Sequence, residues 1–229
     1  MFGIDALNFP GSGPLWLSVQ LAGITTVVLV IVGTPLAWWL AHTSTRWKTV
    51  IEATVALPIV LPPTVMGFYL LILLGPYGAI GRWWVEVTGE SLTFSFSGLV
   101  IASCFYSLPF AVQPLQNAFE SLDRRNLEAA WMLGATPVDA FFSVAVPQSA
   151  RGFLNAIVLS FAHTLGEFGV VLMVGGNIPG QTRVISIAIY DQVEMLNYAN
   201  AHRLSAILLA FAFVTLLLMF FVNRRWQNR

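Results

Sequence analysis

His163 and Glu167 are the residues of this chain whose types and spacing come nearest to chemistry. They stand four apart in the apolar run His163-Thr164-Leu165-Gly166-Glu167-Phe168-Gly169, a spacing that puts two side chains on one face of a helix. As a pair of metal ligands they lack a third partner, and no metal site is expected. As a hydrogen-bonded pair they would shape a path through the apolar run or its outer gate, with Glu167 orienting backbone donors flanked by Gly166 and Gly169. An enzyme embedded in an apolar phase would need a nucleophile with a base beside it. Cys104, the single cysteine, falls in a different apolar run without an evident activator and reads as a small buried hydrophobe. The single lysine, Lys48, follows Arg46-Trp47 where a phosphate-binding loop would place glycines. The expectation is therefore no catalytic residue, no nucleotide site and no cofactor on this chain.

The elements that must position these residues follow from composition. The chain of 229 residues is 57% hydrophobic and only 10% charged, with a mean hydropathy of +0.75; that is too little charge to clothe a soluble domain. The class is an all-α integral membrane protein forming one domain over 1–229. With roughly 20 apolar residues needed per crossing, five spans are read at about 15–41, 51–75, 96–118, 150–175 and 204–222. No basic leader with a cleavage site precedes the first run, so no removable signal peptide is expected, and the charged tail after the last run argues against a lipid-anchor signal. Net charge is zero, which gives nucleic acid no purchase.

Basic residues set the orientation. Arg46, Lys48, Arg124, Arg125, Arg151, Arg224, Arg225 and Arg229 fall on one side of these spans, and only Arg82, Arg183 and Arg203 on the other. By the positive-inside rule the N-terminus is outside and the C-terminus in the cytoplasm. Trp38, Trp39, Trp47, Trp83, Trp84 and Trp226 stand at the expected span ends and read as interfacial anchors in contact with lipid. The outward loops are 76–95 and 176–203. Ile185, Ile189 and Val193, opposite Arg183 and Asp191, predict a short amphipathic helix in the second, where a re-entrant sixth element is also open.

Within span two, Pro58, Pro62 and Pro63 remove backbone donors, and Pro63 pushes Pro62 out of helical geometry. A kink or interruption is predicted there, either as a packing device or beside a pathway that lets freed carbonyls meet protein or water. After span four, Asn177, Pro179, Gly180 and Arg183 predict a tight turn carrying one cation.

The cytoplasmic segment at about 120–149 is the most specific part of the sequence. Glu128-Ala129-Ala130 is followed after three residues by Gly134, and after nine more by Val144-Ala145-Val146-Pro147. Asp123 is expected to cap a helix that runs to about Leu133 and is closed by a left-handed Gly134. Beyond Pro137 a second amphipathic stretch carries Phe141, Phe142 and Val144, and Pro147 is expected to end it. The product is a helix–turn–helix knob with small residues around its bend.

This spacing resembles the E-A-A-x3-G-x9-I-x-L-P loop of ATP-binding-cassette importer permeases, with Val at the Ile and Leu positions. Ala56 to Tyr69, the run Leu165-Gly166-Glu167-Phe168-Gly169, and Asn177-Ile178-Pro179-Gly180 with Thr182, Arg183 and Ala188-Ile189-Tyr190 are similar to the molybdate permeases of that group. The likeness covers about residues 15–222; it departs at His163, where many relatives carry Arg. It implies a type I importer-like permease of the bacterial inner (plasma) membrane, carrying molybdate or tungstate, with sulfate or thiosulfate as the alternative cargo. It further implies a homodimer, two ATP-binding subunits and a periplasmic molybdate-binding protein. On this resemblance Glu128, Ala129, Ala130, Gly134 and Pro147 couple to the ATPase. Pro62, Pro63, His163, Gly166, Glu167 and Gly169 belong to the pathway or gate. Asn177, Pro179, Gly180 and Arg183 form an outer loop for docking or closure. An ion-coupled carrier acting without an ATPase is the rival class.

Overall fold

The computed structural model describes residues 13–227, with side chains to Arg224; the side chains of Arg225 and Trp226, and Arg229, lie outside the described residues. Every regular element among the described residues is helical. Three helices are long and apolar enough to cross a membrane alone: α1 (Pro14–His42), α5 (Phe96–Glu120) and α12 (Tyr198–Gln227). Two bent pairs, each a broken span or a re-entrant loop by length and composition, bring the crossings to as many as five: α2 (Lys48–Val60) with α3 (Pro63–Leu74), and α9 (Ala150–Leu165) with α10 (Gly169–Gly175). The shorter helices are α4 (Ala79–Thr88), α6 (Arg124–Met132), α7 (Pro137–Ala140), α8 (Val146–Gln148) and α11 (Ile185–Glu194).

Both breaks have local causes. The 114° bend between α2 and α3 falls at Leu61-Pro62-Pro63, where Pro62 takes φ −55° and ψ 138°, since the following proline ring denies it the helical ψ. Pro63 then opens α3 at a position where its missing N–H costs nothing. Pro58, by contrast, stays inside α2. The 63° bend after α9 falls at Gly166-Glu167-Phe168. The two breaks abut: a Cβ on Gly169 would stand 2.7 Å from that of Pro63, and one on Gly67 2.9 Å from that of Met173. Glycine at these points lets α3 and α10 touch backbone to side chain.

The core is the packing of α1, α5 and α9. Ala37, Leu40, Val112, Leu115, Phe119 and Ala156 bury one another toward its inner end, and Leu70, Leu74, Ala102, Val170 and Val174 do so where α3 and α10 meet α5. The outward faces stay apolar, with Ile31 and Val32 of α1 and Leu209 and Phe213 of α12 more than half exposed, as spans facing hydrocarbon require. Trp39, Trp47 and Trp83 are also exposed. Trp38 is not an interfacial anchor: its ring stands edge-on to Phe119 and Phe141 and ties α1 to α5 and the cytoplasmic segment. Trp84 likewise packs into the α3–α5 cluster.

Long-range hydrogen bonds sort the chain into two ends without reference to charge. At one end Ile185 N–H donates to Ser18 Oγ, and Phe94 N–H to the Val174 carbonyl. At the other, Lys48 pairs with Glu120 at 3.1 Å and Asn126 donates to Gln148. The second end holds Arg46, Arg124, Arg125 and Arg151, the residues the charge rule assigns to the cytoplasm.

Three expectations are corrected. Pro147 does not end the cytoplasmic helix; the chain stays helical through it. A proline ring collides with the carbonyl four residues back, and a π turn over Phe141–Ala145, closed by Val146 N–H on the Phe141 carbonyl, opens the helix just ahead of it. The actual joint is Ser149, at φ −91° and ψ 9°. The last span begins at Tyr198, earlier than expected. The helix α11 is present, but Ile185, Ile187 and Ala188 are its buried residues and Val193 is exposed. Contact with the rest of the bundle, not the strict helical stripe, chooses the covered face. A helix in the first outward loop, α4, was not anticipated.

Candidate functional site

The two breaks wall a cavity of about 580 Å³ lined by Pro63, Thr64, Tyr106, His163, Gly166, Glu167, Phe168, Gly169, Leu172 and Met173. Five of the six pathway candidates therefore converge from two separate spans; Pro62 caps α3 and is exposed outside this lining. Glu167 is only 4% exposed. Its Oε2 accepts from Ser103 Oγ of α5 at 2.8 Å, and its backbone carbonyl accepts from Ser186 Oγ of α11 at 2.6 Å. Its Oε1 has no hydrogen-bond partner. A buried, half-satisfied carboxyl on a residue of the cavity wall is a group with spare bonding capacity.

His163 and Glu167 do not bond each other. His163 Nδ1 stands 2.9 Å from Ser107 Oγ, which also lies 2.8 Å from Thr164 Oγ1. The His163 ring stacks on Phe110, 4.0 Å between centroids, and tilts against Tyr106. The expected pair is thus two parallel contacts onto serines four apart on α5. The helix breaks between the two residues, so the i, i+4 geometry of a continuous helix does not reach Glu167. Ser103, Ser107, Thr64 and Tyr106 escaped the sequence reading. The available signal was two hydroxyls at four-residue spacing inside an apolar run. Among the described residues no group of three His, Cys, Asp or Glu side chains converges, and Cys104 is half-buried on α5.

The cytoplasmic knob is built as its residues direct. Asp123 caps α6, its Oδ1 accepting from Arg125 N–H at 2.9 Å. At the other end Gly134 takes φ +89°, a left-handed conformation natural to glycine. Gly134 N–H donates to the Trp131 carbonyl and Ala135 N–H to that of Ala130, the paired closing bonds of a Schellman turn. Thr136 and Asp139 then form a reciprocal capping box that starts α7. The Thr136 hydroxyl, and after it the Thr136 N–H, hold the Asp139 carboxyl below its ordinary range. Underneath, Leu127, Ala140 and Ala145 are buried against Trp38, Ala130, Phe141 and Val144. Met132 and Leu133 are each 90% exposed, and Val138 and Phe142 are exposed as well. Ala129 is exposed, and Glu128 pairs with Arg124 at 3.2 Å on the surface.

The outer loop is also ordered. Gly180 has φ +76°, and the Ile178 carbonyl accepts from the N–H groups of Gln181, Thr182 and Arg183, a turn that carries Pro179 at its exposed tip. Arg183 is not a lone cation. Its Nε donates to Asn177 Oδ1 at 2.6 Å and stands 3.6 Å from Asp191, to which Asn177 also donates.

Residues 33–228 match the family described as "Binding-protein-dependent transport system inner membrane component". The chain is a member of that family. It is 54% identical over 208 residues, 91% of this chain and 92% of the other, to the molybdenum transport system permease protein ModB of Azotobacter vinelandii. It is 33% identical to the ModB of Escherichia coli K12, over 93% of each chain. It is also 33% identical to the sulfate transport system permease protein CysT of Synechocystis, covering 87% of this chain and 69% of that one. Among solved structures, the MetNI methionine ABC transporter in inward-facing form superposes with a TM-score of 0.70 at 14% identity, over 93% of this chain and 94% of that chain. A bacterial alginate ABC transporter does so at 0.72 and 16%, over 93% and 77%. The fold is that of an ABC importer permease, and this family member is an inner-membrane component of a transport system.

Proposed function

We propose that this chain is the transmembrane permease subunit of an ATP-driven importer of molybdate, admitting tungstate, a tetrahedral dianion of similar size, by the same route. It pairs with a second copy of itself, docks two ATP-binding subunits on its cytoplasmic face and receives the anion from a periplasmic binding protein. The cargo is argued from the 54% identity with a molybdenum permease along nearly the whole of both chains. The mechanism is carried by one observation, the apolar knob whose Met132 and Leu133 stand almost fully in solvent while everything beneath them is pinned. Exposed apolar side chains on a rigid support are suited to a groove in a partner.

From the knob, residues 137–165 run as helix with a π turn and a single joint at Ser149, a lever of roughly 40 Å at 1.5 Å per residue. Its far end is the Gly166–Phe168 break, which walls the cavity holding His163 and Glu167. Nucleotide-driven approach of the two ATPases would draw the knobs together, and the lever would turn the two abutting breaks relative to α5. This is alternating access powered by a partner's preference for one of two states. Gly134 and Ala130 act by closing the turn, Glu128 and Ala129 by presenting its surface, and Pro147 by holding the π turn in the lever. Asn177, Pro179, Gly180 and Arg183 provide the ordered outer surface for the binding protein.

Uptake of labelled molybdate into vesicles, with the chain and its partner subunits reconstituted, tests the reading; absence of ATP-dependent uptake refutes it. The sulfate permease likeness makes sulfate the rival cargo, and unlabelled sulfate competing as strongly as molybdate would favour it.

A further inference from the structure

The helix α4 plays no part in the import reading, yet it is joined to the end of α3 without slack. A Cβ on Gly78 would collide with the Ile72 and Leu73 carbonyls, and one on Gly81 with those of Leu74 and Gly75. Glycine at both places lets α4 turn back directly onto the last turn of α3. Gly81 is buried there, and Ile80 and Trp84 pack into the cluster of Leu70, Leu74, Leu92 and Ala102. Leu92 leads into the long span α5, and Ala102 lies in its second turn. The helix is therefore held at the mouth of the membrane-spanning bundle, at the end away from the knob.

Its sequence divides into three sectors at about 100° per residue. Ile80, Gly81 and Trp84 form the sector against the bundle. Arg82 and Glu86 lie nearly opposite and pair at 3.1 Å, both largely in solvent. Trp83 and Val87 form the third sector, about 100° round from the charged pair, and are 58% and 65% exposed. Tyr77, in the turn before the helix, is fully exposed. The Trp83 ring is also braced, edge-on to the anchored Trp84 with 6.4 Å between centroids. A helix with protein beneath it, an ion pair on one flank and uncovered tryptophan and valine on the other matches a helix lying in the plane of a bilayer surface. Indole and phenol side chains favour that boundary because each has an apolar body and a polar tip.

We propose that α4 is an in-plane foot whose partner is the lipid at the headgroup–acyl boundary, met by Trp83 and Val87, with Tyr77 at the same level. Arg82 is committed to Glu86, so the contact is apolar and requires no lipid phosphate. The foot fixes the depth of α3, about 18 Å long at 1.5 Å per residue, whose other end supplies Pro63 and Thr64 to the cavity wall. The bilayer surface thus bears on one wall of the site through a single short helix. The proposal needs the chain's place in an inner-membrane family and not its cargo, so a failure of molybdate uptake leaves it standing.

The test places single cysteines at Arg82, Trp83, Glu86 and Val87 in a Cys104→Ser background, with a nitroxide label on each, in the full chain in phosphatidylcholine nanodiscs. Labels at 83 and 87 should be relaxed by molecular oxygen, which partitions into acyl chains, and those at 82 and 86 by a water-soluble nickel chelate. Labels at 83 and 87 open to nickel would make the face a water-side surface and overturn the proposal. Labels there closed to both reagents would do the same, because a protein, such as a second copy of the chain, then covers the face. Adding phosphatidylglycerol should leave the pattern unchanged; a pattern that needs it would assign the contact to phosphate held by Arg82 and overturn the apolar reading. A second measurement needs no cysteine. The emission lost with Trp83→Phe should be emission that phosphatidylcholine brominated high on its acyl chains quenches, and Trp83 emission that the bromolipid leaves untouched also overturns the proposal.

Discussion

At the residue scale, Glu167 shows how a carboxyl is kept inside an apolar bundle. One oxygen is satisfied by Ser103, the main chain is held by Ser186, and the other oxygen is buried without a hydrogen-bond partner. Removing the serine is predicted to cost more than altering the acid. Ser103→Ala strands a buried carboxyl and should lower stability by about 1–3 kcal/mol, whereas Glu167→Gln keeps an acceptor for Ser103 and should cost less. Thermal unfolding of the two variants in detergent decides it, and the reverse order would mean Ser103 does not support Glu167. Gly134 makes a different demand, because its φ of +89° meets no neighbouring atom. Only the backbone conformation forbids a side chain there. Gly134→Val should destabilise the turn by about 1–2 kcal/mol and reduce capture of the ATP-binding subunit; full capture would remove the turn from the coupling mechanism.

At the element scale, the knob is a short helix pair that owes its shape to caps more than to length. Helices of nine and four residues are too short to persist alone in water. The Thr136–Asp139 box depends on an ionised carboxyl. Because that carboxyl titrates below its ordinary value in the folded chain, its contribution is complete above the ordinary value of 3.8 and is lost as pH falls through the lower, folded one. Asp139→Asn should reproduce the acid-induced loosening at neutral pH. Hydrogen exchange of the amides at 136–140 reads both; faster exchange in acid that Asp139→Asn does not mimic would place the cause elsewhere. Much of this element was legible in sequence, since Asp123, Gly134 and Pro137 each dictate backbone geometry within a few residues. The π turn was not. Whether a proline stops a helix or is passed by widening it depends on whether Phe141 and Val144 have something to pack on, and Trp38 and Phe119 come from distant α1 and α5.

At the scale of the whole molecule, the uneven sorting of basic residues between the two sides of the spans predicts the knob inside and the Asn177–Arg183 loop outside. In a Cys104→Ser background, Ser121→Cys should react with a membrane-impermeant thiol reagent only in inverted vesicles, and Thr88→Cys only in intact cells. The opposite pattern would invert the orientation and remove the knob from reach of any cytoplasmic ATPase.

The all-helical membrane class, the break at Pro62-Pro63 and the turn at Gly134 were determined by the sequence alone, because each follows from hydrophobic length or the sterics of one or two residues. Which groups meet was decided only by tertiary structure. His163 and Glu167 are adjacent in sequence terms, yet each bonds its own serine on α5; Arg183 reads as a lone cation until α11 brings Asp191 to it; Gly169 reads as a flexible point until Pro63 is found against it. Such partners are chosen by how helices far apart in the chain pack, and a local pattern of residues carries no record of that choice.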